Sequence, residues 1–243
     1  MILHELISYD VLRLIWWLLL GVLLVGFAVT DGFDLGAMGL LRATAKTDVE
    51  RRTAINSVGP VWEGNQVWLI AGAGALFAAW PVVYAAAFSV LYVPFMFLLF
   101  GLFLRPVGFD YRSKLPSVKW RTNWDRALFV GGLLPTMMLG GTLGFMIQGS
   151  PFRFDNEMHI FYGEFNLNLP LLVSTIVMAI VLMVLHGAAF LQTKTDGVLR
   201  ERARRTVHIF AYLSVVSMVL TALIITKTVT GYVITEQVSP NEV

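Results

Sequence analysis

Six long apolar runs constrain this chain more than any other feature. They cover about Val11 to Thr30, Ile55 to Ala79, Val82 to Leu104, Leu128 to Gln148, Leu169 to Leu191 and Val207 to Thr228. A helix crossing roughly 30 Å of hydrocarbon needs about 20 mostly apolar residues. Lipid offers backbone groups no hydrogen bonds, so runs of this length are predicted to be helices; barrel strands would be half as long and alternating. The expected fold is all-α, a polytopic membrane bundle of six spans forming a single domain over residues 1–243. The second run is interrupted by Glu63, Asn65 and Gln66, and only Trp80-Pro81 separates it from the third.

Composition agrees. Of the 243 residues 57% are apolar and 14% charged, with a mean hydropathy of +0.71. Soluble domains carry about 25% charged residues, so a globular enzyme in water is excluded, and so is disorder. There is no Cys, hence no disulfide framework and no thiolate metal site. P-loop, nucleophile-elbow, zinc-protease and dinucleotide signatures are absent, and no metal site is expected.

The basic residues alternate by loop. Arg42, Lys46, Arg51 and Arg52 follow the first run. Arg105, Arg112, Lys114, Lys119, Arg121 and Arg126 follow the third, and Lys194, Arg200, Arg202, Arg204 and Arg205 follow the fifth. Together these are 15 of the 18 Lys and Arg. By the positive-inside rule these loops are cytoplasmic and both termini face outward. The same topology accounts for the positive charge without nucleic acid. The first run lacks a basic leader and a nearby cleavage site, so it reads as a span and not as a signal peptide. The tail from Thr235 is polar.

Ionisable side chains within the runs are costly, about 2.5–3.5 kcal/mol for an Asp at a helix centre. Glu63 lies inside the second run. On a continuous helix it would share a face with Asn56, Gly59, Pro60 and Gln66. That stripe reads either as a proton-conducting or ligand-binding face or as interhelical glue. Asp31 and Asp34, closing the first run, read as an interfacial cap, and Gly32 and Gly36 as a close-contact pair. Gly140 and Gly144 are a second, weaker pair. Pro106 is expected to stop the third helix. Arg105 at that end either snorkels or serves a site, and Asp110 with Lys114 either forms a polar mouth or simply meets water. His4, His159, His186 and His208 make a poor haem ligand set; His186 reads best as an interhelical hydrogen-bonding group. The tryptophans and tyrosines read as interface anchors and packing.

RLIWWLLLGVLLVGFAVTDGFDLG (Arg13 to Gly36), ERRTAINSVGPVWEGNQVWLI (Glu50 to Ile70), GALFAAWPVVYAAAFS (Gly74 to Ser89) and FLRPVGFDYRSK (Phe103 to Lys114) together resemble subunit II of the cytochrome bd quinol oxidases, including the cyanide-insensitive branch. HGAAFLQTKTDG (His186 to Gly197) continues the likeness more loosely. The resemblance implies a partner, subunit I, with which the chain would oxidise a quinol and reduce dioxygen in the bacterial inner membrane. It places haem b, haem d and the quinol site on subunit I, leaving no catalytic residue here. A structural quinone and small accessory subunits are within the family's range. It implies a proton pathway through Glu63, Asp110 and Lys114, and support of the haem centre by Asp34 and Arg105. Some members carry Asp where this chain has Glu63. Members continue with two further helices, so the 243 residues read as a partial subunit. A proton-coupled transporter with Glu63 as its coupling carboxylate is the alternative reading.

Overall fold

The computed structural model describes residues 7–149, 152–154, 159–163 and 166–229. His4 and the polar tail lie outside them. The described elements are α1 (Tyr9–Thr44), α2 (Asp48–Val58), α3 (Trp62–Ala79), α4 (Pro81–Val90), α5 (Tyr92–Tyr111), α6 (Val118–Gln148), β1 (Phe152–Phe154), β2 (Ile160–Tyr162), α7 (Leu169–Lys194) and α8 (Gly197–Thr228). The chain is a polytopic helical bundle. Strands β1 and β2 form a small antiparallel hairpin, with Arg153 opposite Phe161, between α6 and α7; the sequence reading did not anticipate it.

Among the described residues five helices, α1, α5, α6, α7 and α8, are long and apolar enough to cross a membrane, one fewer than the six runs predicted. Proline accounts for the difference. Pro60 has no N–H and its ring would strike the carbonyl of Asn56, so the second run breaks at Gly59–Val61 into α2 and α3. The remaining α3 has 18 residues and opens on Glu63, Asn65 and Gln66. In the third run Pro94 acts likewise against Val90, and the helix divides at Leu91 into α4 and α5. The division at Trp80-Pro81 falls where expected, Pro81 being the first residue of α4.

Four helices run well beyond their predicted ends. α1 has 36 residues, about 54 Å at 1.5 Å per residue, α5 continues to Tyr111, and α6 and α8 begin at Val118 and Gly197, each ten residues before its apolar run. All four overhangs lie at the basic-loop end. There α2, α6, α7 and α8 surround the end of α1, burying Met38, Leu41, Ile55, Val58, Leu128, Leu191 and Leu199.

α6 is the central helix. It packs on α1, α5 and α7, and α7 packs in turn on α1 and α8. These contacts are close because small residues meet backbone, as helices in lipid require. A Cβ on Gly36 would run into the carbonyl of Met183, and one on Gly187 into the amide of Ala37. Gly140 and Gly144 meet Thr175, and Gly101 accommodates the ring of Pro135. Both predicted glycine pairs thus lie at helix contacts. Gly36→Ala should force α1 and α7 apart and cost about 1–3 kcal/mol, read as a lower thermal midpoint of the purified protein. Gly39→Ala, whose added methyl meets nothing, is the control. An unchanged midpoint for Gly36→Ala would refute the close contact.

Candidate functional site

The costly residues converge between α1, α3 and α5. Because α1 continues past Thr30, Asp31 and Asp34 are not a cap at its end. They lie within the helix, and both are fully buried. Arg105 is also fully buried, so it does not snorkel. Pro106 does not stop α5, which continues to Tyr111 with Gly101 seated on Pro135 and Gly108 beneath Leu128.

Arg105 meets Asp31 in a two-pronged pair. Nη1 donates to Oδ1 at 2.8 Å and Nη2 to Oδ2 at 2.9 Å. This fork geometry matches a planar guanidinium to a planar carboxylate. Nη2 also reaches Gln66 Oε1 at 3.5 Å. Asn65 Nδ2 donates to Asp34 Oδ2 at 2.9 Å, and Thr30 Oγ1 lies 3.5 Å from the Asn65 carbonyl. Two polar atoms at this site, Asp34 Oδ1 and Arg105 Nε, are buried without a partner among the described residues. Unsatisfied polar atoms in a dry interior are costly. The Arg105 guanidinium thus pairs with Asp31, while Asp34 is held by the Asn65 amide.

The other predicted site residues stand apart from this cluster. Glu63 is in the first turn of α3 and exposed, as are Asp110 and Lys114 on the basic-loop side. None of the three side chains makes a hydrogen bond or ion pair among the described residues. The predicted stripe is interrupted, because Asn56 belongs to α2, Gly59 and Pro60 to the break, and only Glu63 and Gln66 to one helix. Glu63 stands one turn before Gln66, which touches Arg105. His208 is exposed. His186 makes no hydrogen bond among the described residues; it packs edge-on against Phe33, ring centres 5.8 Å apart, and Phe33 stacks on Phe190 at 4.1 Å.

A second ionic network, missed in the sequence, ties the basic-loop ends together. Asp125, fully buried on α6, accepts from Arg112 Nε at 2.5 Å and Arg51 Nη1 at 3.0 Å. Asp48 accepts from Arg112 and Arg121, each at 2.8 Å. Glu50 accepts from Arg202 at 2.9 Å and completes a capping box with Thr47. The backbone amides of Lys46 and Thr47, and then Arg202, hold the Glu50 carboxyl below its ordinary pKa. For Asp48, burial pushes upward, but hydrogen bonds and charge from Arg112 and Arg121 prevail and the net shift is downward. A depressed carboxylate binds its proton more weakly in the folded chain than in the unfolded one. Its stabilisation is therefore full above the ordinary carboxylate range and is lost as pH falls below about 4. The thermal midpoint should fall over that acid range and fall less steeply in Glu50→Gln. Identical slopes for the two proteins would contradict the assignment.

Three comparisons bear on what such a bundle belongs to. The model of a family described as "Cytochrome bd terminal oxidase subunit II" matches residues 12–238. Cytochrome bd-I ubiquinol oxidase subunit 2 of Escherichia coli K12 is 46% identical over 230 residues, covering 94% of this chain and 61% of that protein. A probable cytochrome oxidase subunit 2 of Haemophilus influenzae is 44% identical over 234 residues, 96% of this chain and 62% of the relative. The chain thus spans about three fifths of the length of these relatives. The structure of bd oxidase from Geobacillus thermodenitrificans superposes with a TM-score of 0.73 at 21% identity, over 89% of this chain and 66% of that one; at that identity the likeness is one of fold.

Proposed function

The chain belongs to the cytochrome bd terminal oxidase subunit II family, and from that premise we propose that it is the haem-free subunit of a membrane quinol:oxygen oxidoreductase. Its partner, subunit I, would carry haem b, haem d and the quinol site, and the assembly would sit in the bacterial inner membrane. A proton-coupled transporter is not favoured by this family membership. Small accessory subunits and a structural quinone remain within the proposal, with no residue assigned to either.

The observation that carries the reading is the buried Arg105–Asp31 pair with Asp34 beside it. An ion pair in a membrane bundle is weak evidence for stability, because desolvation of both charges offsets most of the attraction, and ionisable groups at such depth mark functional sites by default. In this reading Asp34 and Arg105 support the haem centre electrostatically. They are held by Asn65 and Asp31 and set a fixed charge pattern inside the bundle. The haems supply electron transfer and oxygen chemistry when bound in the partner. This chain's own work is to hold charges and to move protons. Asp110 and Lys114 take protons at the basic-loop surface, and Glu63 hands them on. All three are exposed in the single chain, which suits groups at a mouth and at a subunit boundary.

For sidedness we propose that both termini face outward and the basic loops face the cytoplasm, with α2–α3 and α4–α5 each completing one of six crossings. Three charge-rich loops on one side support this. Ser117→Cys should be labelled by an impermeant thiol reagent only from the cytoplasm and His159→Cys only from outside; the reverse pattern overturns the topology. The function itself is tested by purifying the full-length protein from its native membrane. A co-purifying haem-bearing subunit and quinol-dependent oxygen uptake are expected. A haem-free preparation that takes up no oxygen would reject the proposal.

A further inference from the structure

Four basic side chains at the basic-loop end, Arg51, Arg112, Arg121 and Arg202, are paired with Asp48, Glu50 or Asp125. Two at the turn from α7 to α8 are held less closely. Arg204 makes no ion pair among the described residues, and Arg200 has only a 4.0 Å contact with the fully exposed Asp196. These two arginines, with Gln192, Gly197, Val198 and Glu201, line a cavity of about 840 Å³. Below it the same face of α8 becomes apolar. Arg200, Arg204, Ala211, Val215 and Met218 follow one another within about 60° of the helix circumference; Ala211 is exposed, and Val215 and Met218 are 62% and 53% exposed.

We propose that this cavity binds the headgroup of one anionic phospholipid of the inner leaflet, of the phosphatidylglycerol type, with its acyl chains along the face of Ala211, Val215 and Met218. Charge and shape both select this occupant. Arg200 and Arg204 against Glu201 leave the cavity one net positive charge, which suits a single phosphate diester. Arg guanidinium groups bind phosphate oxygens by paired N–H donors. Glu201 and Gln192, which would gain nothing from phosphate alone, offer an acceptor and an amide for the hydroxyls of a glycerol headgroup. A zwitterionic headgroup would bring an ammonium towards the arginines and lose. Basic pockets between helices on the cytoplasmic side are a recognised mode of binding lipid headgroups, and the apolar stripe continuing straight below distinguishes a lipid from a soluble phosphate ester. The choice of leaflet follows from the sidedness proposed above; the cavity does not.

The test uses the full-length protein in the complex it forms, reconstituted in nanodiscs of phosphatidylethanolamine doped with phosphatidylglycerol and read by native mass spectrometry. The parent should retain one phosphatidylglycerol. Arg200→Ala/Arg204→Ala should retain it at least tenfold less, Arg200→Lys/Arg204→Lys should recover much of the loss, and Lys227→Ala at the far end of α8 should match the parent. Glycerol 3-phosphate at millimolar concentration should not displace the lipid. Equal retention by the double alanine variant and the parent overturns the proposal. So does equal retention of phosphatidylethanolamine, or displacement by glycerol 3-phosphate, which would make the cavity a soluble-phosphate site. Haem content and oxygen uptake, measured on the same samples, report on the oxidase reading separately.

Discussion

Arg105→Met should destabilise the chain by about 3–5 kcal/mol, enough to lower its yield from membranes severely. The substitution keeps much of the side chain's bulk and removes its charge. What it leaves is the Asp31 carboxylate, fully buried, with both of its forked donors gone. The cost is that of an orphaned charge and not of a lost bond. Two companions make this specific. Arg105→Lys retains the positive charge but not the fork, and should fall between parent and Met. Arg105→Met with Asp31→Asn removes both charges and should recover most of the stability, because an apolar replacement of a buried pair is often nearly neutral. The double variant then isolates function. With the fold restored but the charge pattern erased, haem content of the assembled complex should still be low if Arg105 supports the haem centre. A thermal midpoint for Arg105→Met equal to the parent's would contradict the buried pair. Full haem content in the rescued double variant would leave Arg105 a structural residue.

That site was only half legible in the sequence. Periodicity and length expose membrane helices because lipid imposes one requirement on every residue of a span. Asp31 and Arg105 are 74 residues apart, and each taken alone looks like a group at a helix end. The sequence shows that α1 is followed by polar residues. It does not show that Thr30 to Thr44 continue as helix because α2, α6 and α7 bury them. A signal was available: AspGlyPheAspLeuGly offers two carboxyls and two small residues, and a single Arg precedes Pro106 at the end of an otherwise uncharged run. Matching the charges would have paired them. Asp125 is a clearer omission. It sits among six basic residues and reads as surface, yet it is the buried centre of the Arg51–Arg112 network. The break at Gly59–Val61 was signalled by Gly-Pro itself. A stripe read as continuous through a proline gave way to the proline's missing donor and the clash of its ring.

Glu63→Gln should lower quinol-dependent oxygen uptake by on the order of 100-fold or more at matched haem content, a loss of the size expected when a positioned proton-transfer group is removed. Reduction of dioxygen consumes protons, and hydrocarbon conducts none without ionisable groups or water. Gln keeps the size and hydrogen-bonding shape of Glu but cannot release and regain a proton. Its exposed position means that the substitution disturbs no packed neighbour, so assembly should survive. Glu63→Asp keeps the carboxyl and shortens its reach by one methylene, and should retain more activity than Gln. The interrupted stripe sharpens this expectation. With Asn56 on another helix, Glu63 is not one of a row of polar groups that could substitute for it. The next polar residue on its own face of α3 is Gln66, whose amide touches Arg105 at 3.5 Å and carries no exchangeable charge. Asp110→Asn and Lys114→Ala, at a mouth open to water, should each cost less, because water and the second group can still deliver protons there. Glue predicts the opposite order: Gln should then serve as well as Glu, and Asp, being too short to reach a partner, should be the worse of the two. Equal turnover of Glu63→Gln and the parent would take Glu63 out of the proton route.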